Sequence, residues 1–455
     1  MDHISFLDEL AARRRFGIRP GLGSIRALLA QIGNPEKDIR CIHIAGTNGK
    51  GATTAMVDSI LRAAGYRVLR YTSPHLVRIN ERFFVDGAPV ADSVLAESAE
   101  RVFNAVREVE KEGSEITFFE ALTAVAFDLF RTVSAASGEP EKWIAVLETG
   151  LGGRLDATNV VDRPLVSVVT RIGLDHTEWL GSTHAEVAVE KAGIVKMGCP
   201  VVAGAMPEAA KDVIARAASL NSCDFTYAPE AVSAKVVEQT TEGQTLVVTT
   251  AARNLPPMRL PLGGSYQAEN AVTAIAVADA LCRSNALDIP DRAIVAGLAS
   301  VVWPGRFQHV TRDGVGIIVD GAHNPDGARA LRDALRAANP GKPLCLIAGF
   351  CSDKDVLANL RILSAVATRA IAVPIRNSRS LDPEAVAERM QMAGFGTVDS
   401  FRSLEEGLFA ATAWAKENDG MVVIGGSLFL AGEALDVLGA FPWESGEPFP
   451  NEKIH

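Results

Sequence analysis

Residues 39–65 read IRCIHIAGTNGKGATTAMVDSILRAAG, and the rest of the chain is placed outward from them. Residues 39–46 are an apolar run short enough for a buried strand. Met56, Val57, Ile60, Leu61 and Ala64 then fall on one stripe at helical spacing, and Gly65 is the expected stop. Between strand and helix lies AGTNGKGATT, residues 45–54. A glycine-rich turn in that position is the context a phosphate-binding loop requires. Gly46, Gly49 and Gly51, with Thr47 and Asn48 among them, let backbone N–H groups approach phosphate oxygens. The helix N-terminus adds positive potential, and Lys50 supplies a point charge for β- and γ-phosphates. The strict Walker spacing is not met. The first glycine stands three residues before Gly49, and Lys50 is followed by Gly51 rather than a hydroxyl residue.

Outward from this unit, strand-like runs alternate with helical periodicity, which predicts a parallel α/β sheet. Residues 67–71, 143–148 and 165–170 read as further strands, and 120–133 as an apolar helix. The stretch 224–262 differs: VSAKVV, TLVVTT and MRLPL are short alternating runs with polar turns, predicting a small antiparallel excursion. Helices follow at about 267–283 and 290–301. VVWPGRF, 301–307, carries Pro and Gly between two helix-rich blocks and reads as a domain junction. Beyond it the rhythm restarts. Strands at 315–320, 344–349, 369–375 and 421–425 alternate with helices at 325–338, 353–367 and from about 382, a second doubly wound, Rossmann-like sheet. The expected division is 1–300 and 301–455. The last dozen residues are Pro- and Glu-rich and read as a frayed end.

Composition narrows the class. With 455 residues, domain-size statistics suggest roughly three domains or two large ones. Apolar residues at 48% and charged residues at 22% fit a globular chain with a sizeable core and exclude disordered or collagen-like sequences. A net charge of −10 argues against nucleic acid or an anionic membrane as partner, leaving room for a local basic pocket. The most apolar segment, 420–443, is broken by Gly425, Gly426, Glu433 and Asp436, so no membrane span is expected. The N-terminus carries Asp2, Asp8 and Glu9 without an apolar run, so no signal peptide is read. The six cysteines lack metal-type spacing and read as thiols of a reducing cytoplasm.

Three more strings sit where open α/β sheets bind ligands, after strand C-termini. In YTSPHLVRINER, 71–82, Ser73 closes the second strand; as residues alone, Ser73 and Pro74 also read as a plain turn. In ETGLGGRLDATN, 148–159, a carboxylate, Glu148, precedes a glycine-rich turn, a pattern that suits a hard cation. In GLDHTEWLGSTHAEVAVEKAGI, 173–194, His176 follows a further strand end and is placed to converge with Ser73 and Glu148. Lys191, from its residues, reads best as a surface helix lysine paired with Glu190 or Glu186.

The form GTNGKG resembles the Mur-ligase superfamily of ATP-dependent amide ligases, and its GKG ending resembles the folylpolyglutamate synthase and dihydrofolate synthase branch. The strings at 71–82, 117–124 (TFFEALTA), 148–159, 173–194, 270–278, 304–306, 320–325, 349–355, 377–380 and 425–433 match that family in order. The resemblance implies an ATP-binding and central ligase domain at 1–300 and a glutamate-ligase domain at 301–455. It implies ATP contacts from Thr47, Asn48, Gly49, Lys50, Gly51, Ala52, Thr53, Asn270, Arg306 and Asp320, with His323 nearby as a further catalytic group. It implies Mg2+ at two sites, with Ser73, Glu148 and His176 as ligands, and a carbamate on Lys191. A carbamate needs an uncharged amine, hence a pKa lowered by burial. The substrate ring is implied near Thr117, Phe118, Phe119 and Glu120 and near Arg82 beside Glu81, while Gly153, Arg154 and Leu155 are implied at the border of the pterin or ATP pocket, with Arg154 as an anion contact. Adjacent phenylalanines point different ways, so one of Phe118 and Phe119 is expected in the core. The family usually has Ser or Thr directly after GKG; Ala52 removes that hydroxyl, and Thr53 or Thr54 is the expected substitute.

The reaction so implied joins L-glutamate to dihydropteroate or to the γ-carboxylate of a folate, through an acyl phosphate, in a cytoplasmic monomer handling only small molecules. The alternatives are a UDP-muramyl-type amino-acid ligase with the same chemistry, and a non-catalytic ATP-binding regulator, which Ala52 would favour.

Overall fold

The computed structural model describes residues 3–13, 17, 21–338 and 341–443, so the Pro- and Glu-rich end at 444–455 lies outside the described residues. The strands of the first sheet are β1 (Cys41–Ala45), β2 (Arg67–Tyr71), β3 (Phe83–Val85), β4 (Ala88–Pro89), β5 (Trp143–Glu148), β6 (Val166–Val169), β7 (Val201–Ala203) and β8 (Phe225–Tyr227). They lie in the order β4-β3-β2-β5-β1-β6-β7-β8, with the β2–β3 and β3–β4 pairings antiparallel and the rest parallel. The central strands are apolar throughout because helices cover both faces. Ile42, Ile44, Ile144 and Val146 pack with helices Lys50–Ala63, Ser265–Arg283 and Asp291–Ala299 on one face. Cys41, Trp143, Ala145 and Leu147 pack with helices Asp92–Lys111 and Phe118–Ala136 on the other.

The expected antiparallel excursion is the meander β9 (Val232–Thr240), β10 (Gly243–Thr250) and β11 (Asn254–Leu260). Its Leu246, Val248 and Met258 join the core of the first unit. The segment 301–307 then leads to the second sheet, made of β12 (Gln308–Arg312), β13 (Val315–Val319), β14 (Leu344–Ala348), β15 (Arg369–Ala372), β16 (Thr397–Ser400) and β17 (Met421–Gly425). Its order is β12-β13-β17-β14-β15-β16, antiparallel only at β12–β13. The chain is therefore an α/β protein of two doubly wound units with a small antiparallel insertion.

Where expected boundaries moved, local chemistry accounts for it. The strand expected to reach 375 stops at Ala372, two residues before Pro374, which has no N–H for a ladder. The helix expected from 353 starts at Val356, where the Asp355 carboxylate caps the Ala358 N–H at 3.1 Å. The hairpin β3–β4, the strand β7, the edge strands β8, β12 and β16, and the helix Asp92–Lys111 were not read from the sequence. Among the described residues, no helix is long and apolar enough to cross a membrane.

Candidate active site

The phosphate-type loop leaves β1 and enters the helix Lys50–Ala63 through Gly49, whose φ of 86° lies in the left-handed region. A side chain on Gly49 would collide with the amide of Asn270, and one on Gly51 with the ring of Trp303. Both glycines are thus required by close approach. The N–H groups of the first helical turn have no intrahelical acceptors and lie at the wall of a cavity of about 670 Å³. The loop itself is anchored below: the N–H groups of Thr47 and Asn48 donate to the Arg171 carbonyl, and Thr47 Oγ1 donates to the Gly173 carbonyl at 3.0 Å.

Two lysines converge on one oxygen of this loop. Lys50 Nζ donates to the Gly46 carbonyl at 3.1 Å, and Lys191 Nζ donates to the same carbonyl at 2.8 Å. Lys50 is half-buried at the first helical position, whereas Lys191 is only 2% exposed. Burial, then the neighbouring Lys50 charge, pulls the Lys191 amine down to about 7. The surface reading of Lys191 is therefore corrected. Its neighbour Glu190 pairs with Arg154 at 2.9 Å, and Glu186 accepts from Ser182 and Thr183 N–H groups. The helix His184–Ala192 turns Lys191 inward because its Val187 and Ala188 face the core on that side.

Glu148, the last residue of β5, is 2% exposed and accepts the Ser73 backbone N–H at 3.0 Å. Burial raises its pKa, opposed first by the nearby Lys50 charge. Ser73 and exposed His176 line the same cavity. Although its side chain is 47% exposed, partial desolvation at the cavity lowers the His176 pKa against the pull of Asp175. Among the described residues, no three His, Cys, Asp or Glu side chains converge as a ready-made metal centre.

The opposite wall comes from 303–333 and the ends of β14 and β17. Asp320 is fully engaged: Oδ2 accepts from Phe307 N at 2.8 Å and Tyr266 OH at 3.0 Å, and Oδ1 from Ala322 N at 2.8 Å. His323 Nδ1 lies 2.9 Å from the Gly321 carbonyl, and Arg306 donates to the Gly305 carbonyl at 3.0 Å. Asn270 is buried between Gln267, to which it donates at 2.9 Å, and Gly49.

The cavity thus gathers Thr47, Asn48, Gly49, Lys50, Gly51, Ala52, Ser73, Glu148, His176, Lys191, Asn270, Arg306, Asp320 and His323. Thr53, Thr117, Phe118, Phe119, Glu120, Arg82, Gly153, Arg154 and Leu155 are not among its lining residues. Thr117 and Glu120 form a reciprocal cap that starts the helix Phe118–Ala136. Phe119 lies behind the wall, against Gly150, and Phe118 sits beneath the Arg82 guanidinium at 5.5 Å. Both rings are half-buried and pack against the core, so the core packing expected of one is found for both. Arg82 is itself buried and donates to His75 Nδ1 at 2.9 Å. Gly153 packs on the carbonyls of Glu190 and Lys191, Arg154 is exposed, and Leu155 is half-buried. Thr53 and Thr54 are buried with hydroxyls that have no hydrogen-bond partner among the described residues. Sequence reasoning passed over Asp175, Asn324, Trp303, Tyr266 and Lys354, which line the cavity. All but Tyr266 were inside strings singled out in the sequence, and each takes its importance from a partner far away in the chain.

Two family models match the chain: the Mur ligase middle domain over 126–278 and the Mur ligase glutamate ligase domain over 305–428. The dihydrofolate synthase/folylpolyglutamate synthase of Bacillus subtilis is 35% identical over 356 residues, covering 78% of this chain and 81% of that protein. The folylpolyglutamate synthase of Mycobacterium tuberculosis, solved with ADP and AMPPCP, has a TM-score of 0.86 at 30% identity, over 97% of this chain and 100% of that one. E. coli FolC, solved with DHPP and ADP, has a TM-score of 0.83 at 32% identity, over 97% and 98%. A phosphate loop on one sheet facing a second doubly wound sheet across a shared cavity defines, with these matches, an ATP-dependent carbon–nitrogen ligase of the Mur type. Within that class the chain belongs to the dihydrofolate synthase/folylpolyglutamate synthase family. It is a glutamate ligase of folate metabolism, and the muramyl-type and non-catalytic alternatives fall away.

Proposed function

We propose that this ligase activates the carboxylate of dihydropteroate, or the γ-carboxylate of a folate, with ATP and couples it to the amine of L-glutamate. The carboxylate oxygen attacks the γ-phosphorus and ADP leaves. The glutamate nitrogen then attacks the acyl carbon, loses a proton, and expels phosphate from a tetrahedral intermediate. No protein nucleophile is needed, so the demands are positioning and neutralisation of developing phosphoryl charge. The N–H groups of residues 49–52 and the Lys50 ammonium supply the second, and Asn270, Arg306 and Asp320 hold the nucleotide. His323, on the facing wall, attends the incoming amine. The wall behind Gly150, with Phe118, Phe119, Arg82 and the 153–155 turn, supports the substrate ring. The division of labour follows a boundary at 300/301, because each sheet is complete on its own side of it. Both walls come from one chain, which supports a monomer, and free thiols at all six cysteines support a cytoplasmic setting.

The side chains fit magnesium. Glu148 is a buried carboxylate and Ser73 a hydroxyl, both hard oxygen donors, and His176 shares the cavity. Magnesium is commonly held by one or two carboxylates together with substrate phosphates, so a sparse protein ligand set is what such a site provides. The ion would supply charge neutralisation of the phosphates. Lys191, with its amine near neutrality, suits capture of carbon dioxide as a carbamate: the nitrogen lone pair forms the N–C bond and releases a proton.

The observation that carries this reading is the meeting of Lys50 and Lys191 on the Gly46 carbonyl beside buried Glu148. The test incubates the protein with ATP, Mg2+, glutamate, and either dihydropteroate or tetrahydrofolate, and measures phosphate release and amide product. Release that depends on the acid and on glutamate is expected. Tight ATP binding without release for either acid would overturn it, and the preferred acid identifies which activity the chain has.

A further inference from the structure

The loop 171–176 touches both walls of the cavity. On one side it holds the phosphate loop: Arg171 and Gly173 carbonyls accept from Thr47 and Asn48, as above. On the other it meets the second unit. Asp175 Oδ2 accepts from Asn324 Nδ2 at 3.1 Å, and Lys354 Nζ lies 3.9 Å from Asp175 Oδ1. That same Oδ1 accepts the His176 backbone N–H at 2.9 Å. Asn324 is buried and held from behind, because its Oδ1 accepts the Gly327 N–H at 2.8 Å at the start of the helix Pro325–Ala338. Gly173 has no room for a side chain, since a Cβ there would strike the Asp326 carboxylate. The loop is thus pressed against the second unit at Gly173 and hydrogen-bonded to it at Asp175.

We propose that Asp175 is a positioning residue that registers closure of the second unit on the phosphate loop, with Asn324 as its partner across the cleft. When the two units meet, Asn324 and Lys354 fix the Asp175 carboxylate. Asp175 fixes the turn at His176, and the Arg171 and Gly173 carbonyls fix Thr47 and Asn48. Separation of the units frees this chain of contacts at its polar link, while the phosphate loop still keeps its own bonds to 171–173. Nucleotide then binds an open form, and the amide-forming geometry exists only in the closed one, as for other enzymes whose closure completes the site. The inference rests on the proposed function for its catalytic readout, but its conformational readout does not.

The test is a polarity swap in the full-length chain. Asn324→Asp sets one carboxylate against another across the cleft, and Asp175→Asn leaves two amides and removes the charge that faces Lys354. In the double variant the amide introduced at position 175 donates to the carboxylate introduced at position 324. A hydrogen bond of reversed direction is restored, and that carboxylate still accepts the Gly327 N–H. Misplacement of reacting groups by about 1 Å is worth on the order of 100-fold. Asn324→Asp is therefore expected to lower kcat by roughly 10- to 100-fold, with Kd for a non-hydrolysable ATP analogue changed less than about threefold. The double variant should recover most of that loss, a coupling that independent sites would not show. Small-angle scattering with the analogue should report a more open Asn324→Asp and a closed double variant, whether or not any folate is turned over. A double variant as slow and as open as Asn324→Asp, or an Asn324→Asp variant that closes and turns over normally, overturns the proposal. If the wild type closes and the swap rescues closure while no acid is ligated, the positioning role stands and the proposed substrate is what fails.

Discussion

The two walls of the cavity are built on opposite electrostatic plans. On the phosphate-loop wall, charges are gathered without mutual satisfaction: two lysines share the Gly46 carbonyl, and Glu148 is buried with a backbone N–H for company. On the facing wall the polar groups are already matched. Asp320 takes three donors, His323 is tied to Gly321, and Asn324 is held by Gly327. A buried charge left short of partners is costly unless something binds there. The first wall therefore stores its cost for a polyanion, whereas the second is a rigid surface that needs only to be brought up. Substitutions on the first wall should change chemistry and ligand affinity. On the second, apart from the proposed nucleotide contacts of Arg306 and Asp320, they should act through position.

The largest effect expected on the first wall is that of Lys50→Ala. Lys50 stands at the first position of its helix, where Ala is a good helix former, so melting temperature should move little. Loss of a preorganised contact to transferring phosphate should lower kcat by about 10²–10³. Turnover within threefold of wild type would show that backbone N–H groups alone hold the phosphates. Glu148→Gln comes next. The amide oxygen can still accept the Ser73 N–H, and Gln keeps the shape of the side chain. The Mg2+ concentration for half-maximal rate should rise by roughly 10- to 100-fold, the scale seen even for outer partners of metal ligands. An unchanged magnesium titration would assign Glu148 to the scaffold.

The contrast between the walls also explains what could be read before the fold was in hand. The phosphate loop of the first wall is local: strand, glycines, lysine and helix fall within 27 consecutive residues, and each obeys a rule of spacing or turn geometry. The parallel alternation and the meander at 232–260 were legible for the same reason. Lys191 was not. Its helix is short and carries Glu186 and Glu190 ahead of it, so sequence favours the surface, and only the packing of Val187 and Ala188 shows which way the lysine turns. Asp175 and Asn324 are 149 positions apart and meaningful only as a pair. The segment at 117–120 shows the reverse case. It was read as a ring site through the resemblance, and its Thr-x-x-Glu pattern went unremarked, yet the structure uses Thr117 and Glu120 as a capping box.

Lys191 gives the pH signature of the first wall. In the unfolded chain a lysine keeps its proton to about pH 10.4, whereas in the fold the amine is lowered to about 7. Below pH 7 both states are protonated, and the buried ammonium weighs on the fold in full. Between about 7 and 10 the unfolded chain binds more protons, so stability conferred at this site rises with pH. Chemical denaturation should show that rise, on the order of a few kcal/mol at most, and Lys191→Met should flatten it. The same neutral amine is what carbon dioxide requires. Activation by added bicarbonate should accordingly grow as pH passes 7 and vanish in Lys191→Met, whose kcat should fall about tenfold. A bicarbonate response that persists without Lys191 would locate the carbamate elsewhere.

The smallest effect is expected at Ala52, and it bears on how complete the first wall is. Ala52 lines the cavity in the first turn of the helix, so a hydroxyl added there faces the ligand side. Thr53 and Thr54 cannot replace it as they stand, since both are buried away from the cavity lining. Ala52→Ser adds one oxygen with little change in volume. A single hydrogen bond is worth about 0.5–1.5 kcal/mol net, so nucleotide affinity in the presence of Mg2+ should tighten by roughly two- to tenfold. The gain should disappear when Mg2+ is withheld if the hydroxyl acts through the metal, and persist if it bonds phosphate directly. Calorimetric titration of an ATP analogue into both proteins, with and without Mg2+, separates the cases. Equal affinities throughout would mean that the N–H groups of 49–52, Lys50 and Glu148 already saturate the phosphates and their ion, and that the first wall lacks nothing for having alanine there.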